Sequence, residues 1–541
     1  MAGQTMEMRD ASEVREEVEI MIPTPSSEEE YPTGLRFILI TIALILSIFL
    51  SALDSTIIST AIPKITDQFG AVQDVGWYGS AYAITNAAFQ SSWGKGYKHF
   101  QMKRVFLSAI TVFELGNIIS ATANSSTMLI IGRIVAGAGG GGVMTGSFII
   151  IALTAKPQYR AAYMGVLGVT FGCASVVGPL LGGVLTDSYL TWRWCFWVNL
   201  PIGACAAILM TLSLKVPTAA QPNPNSLKEK VVSLDLPGAS LVAAAMSCFV
   251  LALQRGGVST SWRDWRVITC LVGAALLTIL FVANEWRLGD KAMIQAHLLR
   301  KRAIVLNLVY IFFLAGLFFP LSFALPIQFQ SVGNTTASES GIRLIPLILG
   351  VSVATMVANG ILTFWRHYTP FLVVGAISAT VGLAMVHSLD ADAGIPRWIG
   401  YEIIVATGVG LSLQVPMIAN QTQVGAEDIA AVTSLTLFIE TVGQALFIAS
   451  TEAAFTNSLI SSLSRLLPAL NPRIVLETGV TGIRTTFNHQ QTNDILESYL
   501  QGCKTSHFVP LAAGGAAILA ALVVAVPSGF KEYQARARKT S

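Results

Sequence analysis

The chain alternates long apolar runs with short polar loops. Runs of about 20 apolar residues are long enough to cross a bilayer as helices. They recur about fourteen times, at 37–60, 75–93, 105–124, 127–151, 162–185, 194–214, 237–255, 267–286, 304–327, 342–364, 370–389, 398–418, 429–453 and 507–527. The pattern predicts an all-α polytopic membrane protein with fourteen transmembrane helices. Spacing groups the spans as six, two and six. The expected organisation is a disordered N-tail (1–36), six spans (37–215), a polar linker (216–236), two inserted spans (237–286), six further spans (287–527) and a C-tail (528–541). The linker carries Pro222, Pro224, Lys228 and Lys230. A long polar insert, roughly 456–506, separates the last two spans and shows only weak helical periodicity.

Span 5 holds the densest run of small residues. On a helical wheel Gly165, Gly168, Gly172, Ser175, Pro179, Gly182 and Gly183 share a face about 100° wide. Such a face admits another helix backbone to backbone. Pro179 lacks an N–H and bends a helix unless neighbours cover the freed carbonyl. Gly172, Gly178, Pro179, Gly182 and Gly183 are therefore the expected packing surface and hinge.

Composition agrees with the pattern: 53% of residues are hydrophobic and 12% charged, against about 25% charged in a soluble domain. A net charge of +3 gives no footprint for nucleic acid. The six cysteines form no CxxC, and no two histidines have metal spacing, so neither a disulfide framework nor a metal is expected. Gly137-Ala-Gly139-Gly-Gly-Gly142 has the form GxGxxG, but it lies inside a span and follows no strand, so it reads as helix packing. There is no phosphate loop and no nucleophile elbow. The expectation is a protein that is not an enzyme and needs no cofactor.

Orientation follows from Lys and Arg in the short loops. With the N-terminus inside, roughly fifteen fall on the inner side and roughly seven outside. Both termini are then cytoplasmic, and the sequons at Asn334 and Asn124 face outward as glycosylation candidates. Asn420 falls near the inner face and should stay bare.

Charges inside the membrane are costly and mark function. Asp54 in span 1 and Arg133 in span 4 lie about seven and six residues below the outer surface, hence roughly 10 Å deep each at 1.5 Å per residue. A carboxylate and a guanidinium at one depth are placed to pair, and a carboxyl gives up its proton more readily beside a cation. Asp54 and Arg133 are thus the candidate proton-coupling pair, with a static pair that only fixes packing as the other reading. Glu440 and Glu114 also lie near mid-membrane. With Gln254, Gln328, Gln330 and Gln414 they are the candidate groups of a substrate cavity.

Leu53-Asp-Ser-Thr-Ile-Ile-Ser-Thr-Ala-Ile-Pro63, Arg133 with Gly137 and Gly139, Gly178-Pro-Leu-Leu-Gly-Gly183, and Trp192-Arg-Trp-Cys-Phe-Trp-Val-Asn-Leu-Pro-Ile-Gly203 belong together. From about Phe37 to Pro527 the chain resembles the major facilitator superfamily, and within it the fourteen-span drug:proton antiporters of fungal toxin and multidrug efflux. The resemblance implies two six-helix halves about a pseudo-two-fold axis with substrate between them. It implies a monomer in the plasma membrane (or the vacuolar membrane) that exports a hydrophobic small molecule in exchange for protons. The inner-gate loop departs from the superfamily pattern. It reads Gly94-Lys-Gly-Tyr-Lys98-His-Phe-Gln-Met-Lys103-Arg104, with Lys98 where an Asp is usual. The usual charge relay is in question there, and Lys103 and Arg104 are expected to hold the loop against the inner leaflet or span 11. A proton-coupled importer, for example of a siderophore, and a non-transporting sensor are the alternative readings.

Overall fold

In the computed structural model, which describes residues 31–71, 74–214, 226–258, 260–333, 335, 337–365, 367–389 and 394–540, the apolar runs form long helices. The first eight are α1 (Gly34–Phe69), α2 (Val75–His99), α3 (Met102–Ala121), α4 (Ser126–Thr154), α5 (Arg160–Asp187), α6 (Asn199–Ser213), α7 (Leu236–Arg255) and α8 (Trp265–Leu288). There follow α9 (Arg302–Ser331), α10 (Ile345–Phe364), α11 (Thr369–His387), α12 (Ile395–Ser412), α13 (Ile429–Leu466) and α14 (Phe508–Thr540). Thirteen helical segments among the described residues are long and apolar enough to cross a membrane. α2 is as long but more polar, since it carries Asn86, Gln90, Lys95 and Lys98. No β-strand occurs among the described residues, only an isolated bridge between Gly256 and Thr260.

The helices pack as two similar groups of six. In one, α4 lies on α2 and α3, while α1 lies on α5 and α6; in the other, α12 lies on α10 and α11, while α9 lies on α13 and α14. The groups meet along two seams, α5 on α10 and α2 on α13. One end of the bundle, here the basic end, carries Lys98, Lys103 and Arg104 between α2 and α3, and Arg300, Lys301 and Arg302 before α9. Arg36 at the start of α1 donates to the Ser213 carbonyl there (2.8 Å).

The inserted pair is anchored by one carboxylate. Asp235 caps α7 in the left-handed region (φ 47°), accepting from the Gly238 amide at 3.0 Å. It also accepts from Asn284 of α8 at 2.9 Å and from the Met293 amide at 3.3 Å. α8 is peripheral and exposes Leu276, Ile279, Leu280 and Val282. α7 is not. Its Val242, Met246 and Val250 pack with Ile84, Ala87 and Ala88 of α2 and with Leu435 and Phe438 of α13, covering the seam between the groups.

Two expectations need correction. α13 runs on to Leu466, well past the expected end at 453, and the insert after it is a hairpin of two helices, Pro472–Thr486 and His489–Ser506. The reason is an amphipathic fit: Leu459 and Leu463 of α13 bury against Val475, Ile483, Ile495 and Tyr499. The bundle end that bears it is the hairpin end. Helix also continues to Thr540 through the expected C-tail. The N-tail up to residue 30, linker residues 215–225 and the sequon residues Asn334 and Thr336 lie outside the described residues.

Candidate functional site

α1 and α4 bring Asp54 and Arg133 together. Arg133 Nη1 donates to Asp54 Oδ2 at 2.7 Å, with both side chains fully buried. Arg133 Nε donates to the Tyr78 carbonyl at 3.1 Å, and the guanidinium lies over the Tyr82 ring, 4.4 Å from its centroid. Asn199 of α6 donates to Asp54 Oδ1 at 3.0 Å and to Asn117 Oδ1 of α3 at 3.2 Å. Five helices thus converge on one carboxylate. Taking two charges out of water is costly, and the added hydrogen bonds and ring face are what offset that cost. Charge alone points to Asp54 and Arg133. Tyr78, Tyr82, Asn117 and Asn199 carry none, and an asparagine in mid-span is the signal that finds them.

The other proposed cavity groups do not converge. Glu114 sits on α3 one turn from Asn117, against Gly203 of α6, and both its oxygens are buried without a hydrogen-bond partner. It lies inside the first six helices, because α3 and α6 close on each other through Gly203, so it does not line a cavity between the groups. Gln254 stands against Gly76 where α7 meets α2. Gln330 donates to Ser340 at 2.9 Å, and the side-chain amide oxygen of Gln328 is buried without a partner. Gln414 accepts from Asn359 of α10 at 2.8 Å and lies against Gly168 of α5. Its amide therefore lies in the seam between α5 and α10. Glu440 is partly buried on α13, beside Thr441, whose hydroxyl donates to Gln90 of α2 across the other seam (3.2 Å).

The small face of α5 is divided between two partners. Gly165 and Gly172 lie against Asn359 and Ser352 of α10, in the opposite group, while Gly178 and Gly182 lie against Thr56 and the Ile57 carbonyl of α1. Pro179 sits within a helix that continues past it. Gly183 has nothing within 4 Å of where a Cβ would be, which corrects its expected packing role. On the wheel it shares the side of Gly165 and Gly172. The α5–α10 seam is therefore shut toward the basic end and parted toward the hairpin end.

The basic end closes across the groups as well. Gly94 of α2 admits Ser434 and the Ala430 carbonyl of α13. Lys98 pairs with Asp428 at 2.7 Å, and the other oxygen of Asp428 meets His297 Nε2 at 3.1 Å. The loop thus has its charge contact, with the cation on the first group. Lys103 donates to the Thr211 carbonyl of α6, and Arg104 is exposed. Burial, then Lys95, Lys98 and Lys230, pull His99 down to about 4. Asn124 is exposed, yet the Ser126 hydroxyl of its sequon is buried, donating to Asp74 at 2.5 Å and accepting from Tyr78 at 3.0 Å. Asn420 is buried between Asn307 and Thr436.

Comparison with known proteins agrees with this architecture. A family model described as Major Facilitator Superfamily matches residues 44–448. The chain is 40% identical over 490 residues to a protein named probable efflux pump gsfJ of Penicillium aethiopicum, covering 90% of this chain and 87% of that one. It is 38% identical over 494 residues to the MFS-type transporter grgE of a Penicillium species (91% and 87%). It is also 38% identical over 487 residues to the MFS-type efflux pump MFS1 of Trichophyton rubrum (90% and 91%). Among solved structures, the human organic anion transporter MFSD10 superposes with a TM-score of 0.57 at 14% identity, covering 91% of this chain and all of that one. The proton:xylose symporter XylE superposes at 0.54 and 14% (90% and 94%).

Proposed function

Because the chain belongs to the major facilitator superfamily, a family of multi-pass membrane transporters, we propose that it exports a hydrophobic small molecule in exchange for protons. The observation that carries this reading is the buried Asp54–Arg133 pair with Asn199 on the second carboxylate oxygen. A proton on Asp54 cancels the charge that Arg133 holds. Arg133 keeps the Tyr78 carbonyl and the Tyr82 ring, so it stays seated while its grip on α1 weakens. α1 packs on α5, and α5 on α10. Protonation thus acts on the helix that forms the seam between the groups, and differential binding of proton and substrate to the two arrangements drives alternating access.

The Lys and Arg bias supports a cytoplasmic basic end with both termini inside. The arrangement described above is then closed inward and parted outward. A secondary metabolite or toxin is the substrate class we favour, carried by a monomer in the plasma membrane, and the efflux-pump names of relatives support export as the direction. Proteoliposomes with an imposed proton gradient test this. Substrate should move uphill against the proton flow; movement indifferent to the gradient overturns the reading, and accumulation along the proton flow makes the protein an importer.

A further inference from the structure

Glu402 of α12 is fully buried, and neither carboxyl oxygen has a hydrogen-bond partner. It belongs to none of the contacts above, yet its place in the fold is specific. α4 and α12 occupy the same position in their groups of six, and they run in register at a separation of 269 residues. Gly139 lets α4 close on the Phe113 backbone of α3; Gly408, 269 residues on, lets α12 close on the Ala379 backbone of α11. Gly141 meets a carbonyl of α2 (Asn86), and Gly410, at the same separation of 269, meets a carbonyl of α10 (Val351). Carried to Arg133, the register lands on Glu402. Arg133 reaches the carbonyl of Tyr78 in the first turn of α2; the first turn of α10, the matching helix of the second group, holds Leu347. Its backbone N–H is directed at the Glu402 carboxyl without completing a hydrogen bond. The second group thus holds a carboxyl where the first holds the guanidinium.

The titratable surroundings are sparse. α10 carries no titratable side chain and α11 only His387 at its hairpin end. α9 carries Arg302 and Tyr310 in its basic-end half, and α12 itself adds Arg397 and Tyr401. The short helix before α10 (Ala337–Arg343) carries Glu339 and Arg343, and Arg343 lies over the rings of Phe329 and Trp398. A bare charge on Glu402 would face the Leu347 amide and the N-terminal end of α10, with no cation paired to it, whereas the acid needs neither. α10 is also the helix that Gly172 of α5 touches through Ser352 and Ile348. A shift along that seam reaches Glu402 where α10 moves relative to α12, on which it packs.

We propose that Glu402 is a second proton-binding site, in the second group of helices, which takes up and releases its proton as α10 moves against α12. Only the motion rests on the transport reading above; the titration does not. Infrared difference spectroscopy of the purified full-length protein in lipid, titrated between about pH 5 and pH 9, tests it. A pH-sensitive carboxylic-acid band should be lost in Glu402→Gln and kept in Asp54→Asn. Should Glu402→Gln not fold, Glu402→Asp should displace the band. Joining α5 to α10 with cysteines at Gly172 and Ser352 should keep the band but remove its pH response. A spectrum unchanged by either Glu402 variant, a band indifferent to pH, or a pH response that survives the cross-link overturns the proposal. If Glu402 titrates in this way but proteoliposomes show no gradient-driven transport, the proposal stands and the transport reading falls.

Discussion

At the scale of single residues, the site is a carboxylate held by one cation and one amide. Asp54→Asn keeps the volume and leaves Asn199 a carbonyl partner, but it removes the proton-binding group. Uphill export should fall to background while substrate still binds, since the amide resembles the protonated acid; counterflow and equilibrium binding on the same preparation separate the two. Full gradient-driven export by this variant would take the coupling role from Asp54 and leave Glu440 as the next candidate. Arg133→Ala should be worse for the fold than Asp54→Asn, because stranding a buried carboxylate costs about 3–5 kcal/mol. Lower yield and melting temperature of the detergent-solubilised protein would register that loss. Arg133→Lys keeps the charge but cannot reach Asp54, the Tyr78 carbonyl and the Tyr82 ring together, so it should retain part of the activity. If the lysine variant is as inactive as the alanine variant, geometry and not charge is what Arg133 contributes.

Among the elements, α5 shows what separates a small residue that packs from one that only looks as if it does. A side chain at Gly182 meets the Ile57 carbonyl and Thr60 of α1, so Gly182→Val should destabilise by about 1–3 kcal/mol or prevent folding. Gly183→Ala meets nothing within 4 Å and should change stability by less than about 0.5 kcal/mol; thermal melts of the two variants compare them directly. In the sequence these glycines are neighbours on one wheel face. Nothing local says that α1 covers Gly182 while the opposite group stands clear of Gly183. The spans themselves were legible, because crossing a bilayer demands apolar length whatever the tertiary contacts. So was the depth match of Asp54 and Arg133, which needs only helical rise. Side-chain direction was not legible: Glu114 turns toward Gly203, and Gln414 is taken by Asn359. Glu402 escaped for a similar reason. Four residues from the expected edge of span 12, it reads as an interfacial charge, whereas α12 begins at Ile395 and buries it against α10. The α13 extension and its hairpin are polar enough to pass for a loop until Leu459 and Leu463 are seen to have partners.

For the whole molecule, the question is what holds the basic end shut. Two kinds of contact cross it: close approach at glycines, Gly94 on the α2–α13 seam and Gly165 on the α5–α10 seam, and the Lys98–Asp428–His297 charge cluster. The cluster is partly exposed, so its ion pair is worth roughly 0.5–1 kcal/mol, about a two- to fivefold change in the closed population. That is enough to bias a rocking equilibrium and too little to lock it. Lys98→Glu should therefore populate the arrangement open at the basic end and slow the proposed export about two- to fivefold without unfolding the protein. The reciprocal exchange, Lys98→Asp with Asp428→Lys, should restore much of the rate, because it restores attraction across the same gap, though His297 would then face a lysine. Labelling of a cysteine placed at Ser434, which is buried against Gly94, should rise in Lys98→Glu and fall back in the exchange; equal labelling in all three would mean that packing alone closes this end. Acid adds a second, separable effect. His99 has its ordinary value near 6.5 lowered to about 4 in the fold, so the neutral ring is what the closed end accommodates. The stability this contributes is complete above about pH 6.5 and is lost as the pH falls toward about 4, where the ring takes up a charge beside Lys95, Lys98 and Lys230. His99 is only partly buried, so the effect is a fraction of what a fully buried ring would give. His99→Gln should flatten the fall in melting temperature across that window while leaving the Lys98–Asp428 exchange unaffected. An undiminished acid slope in His99→Gln would assign the acid sensitivity to other groups.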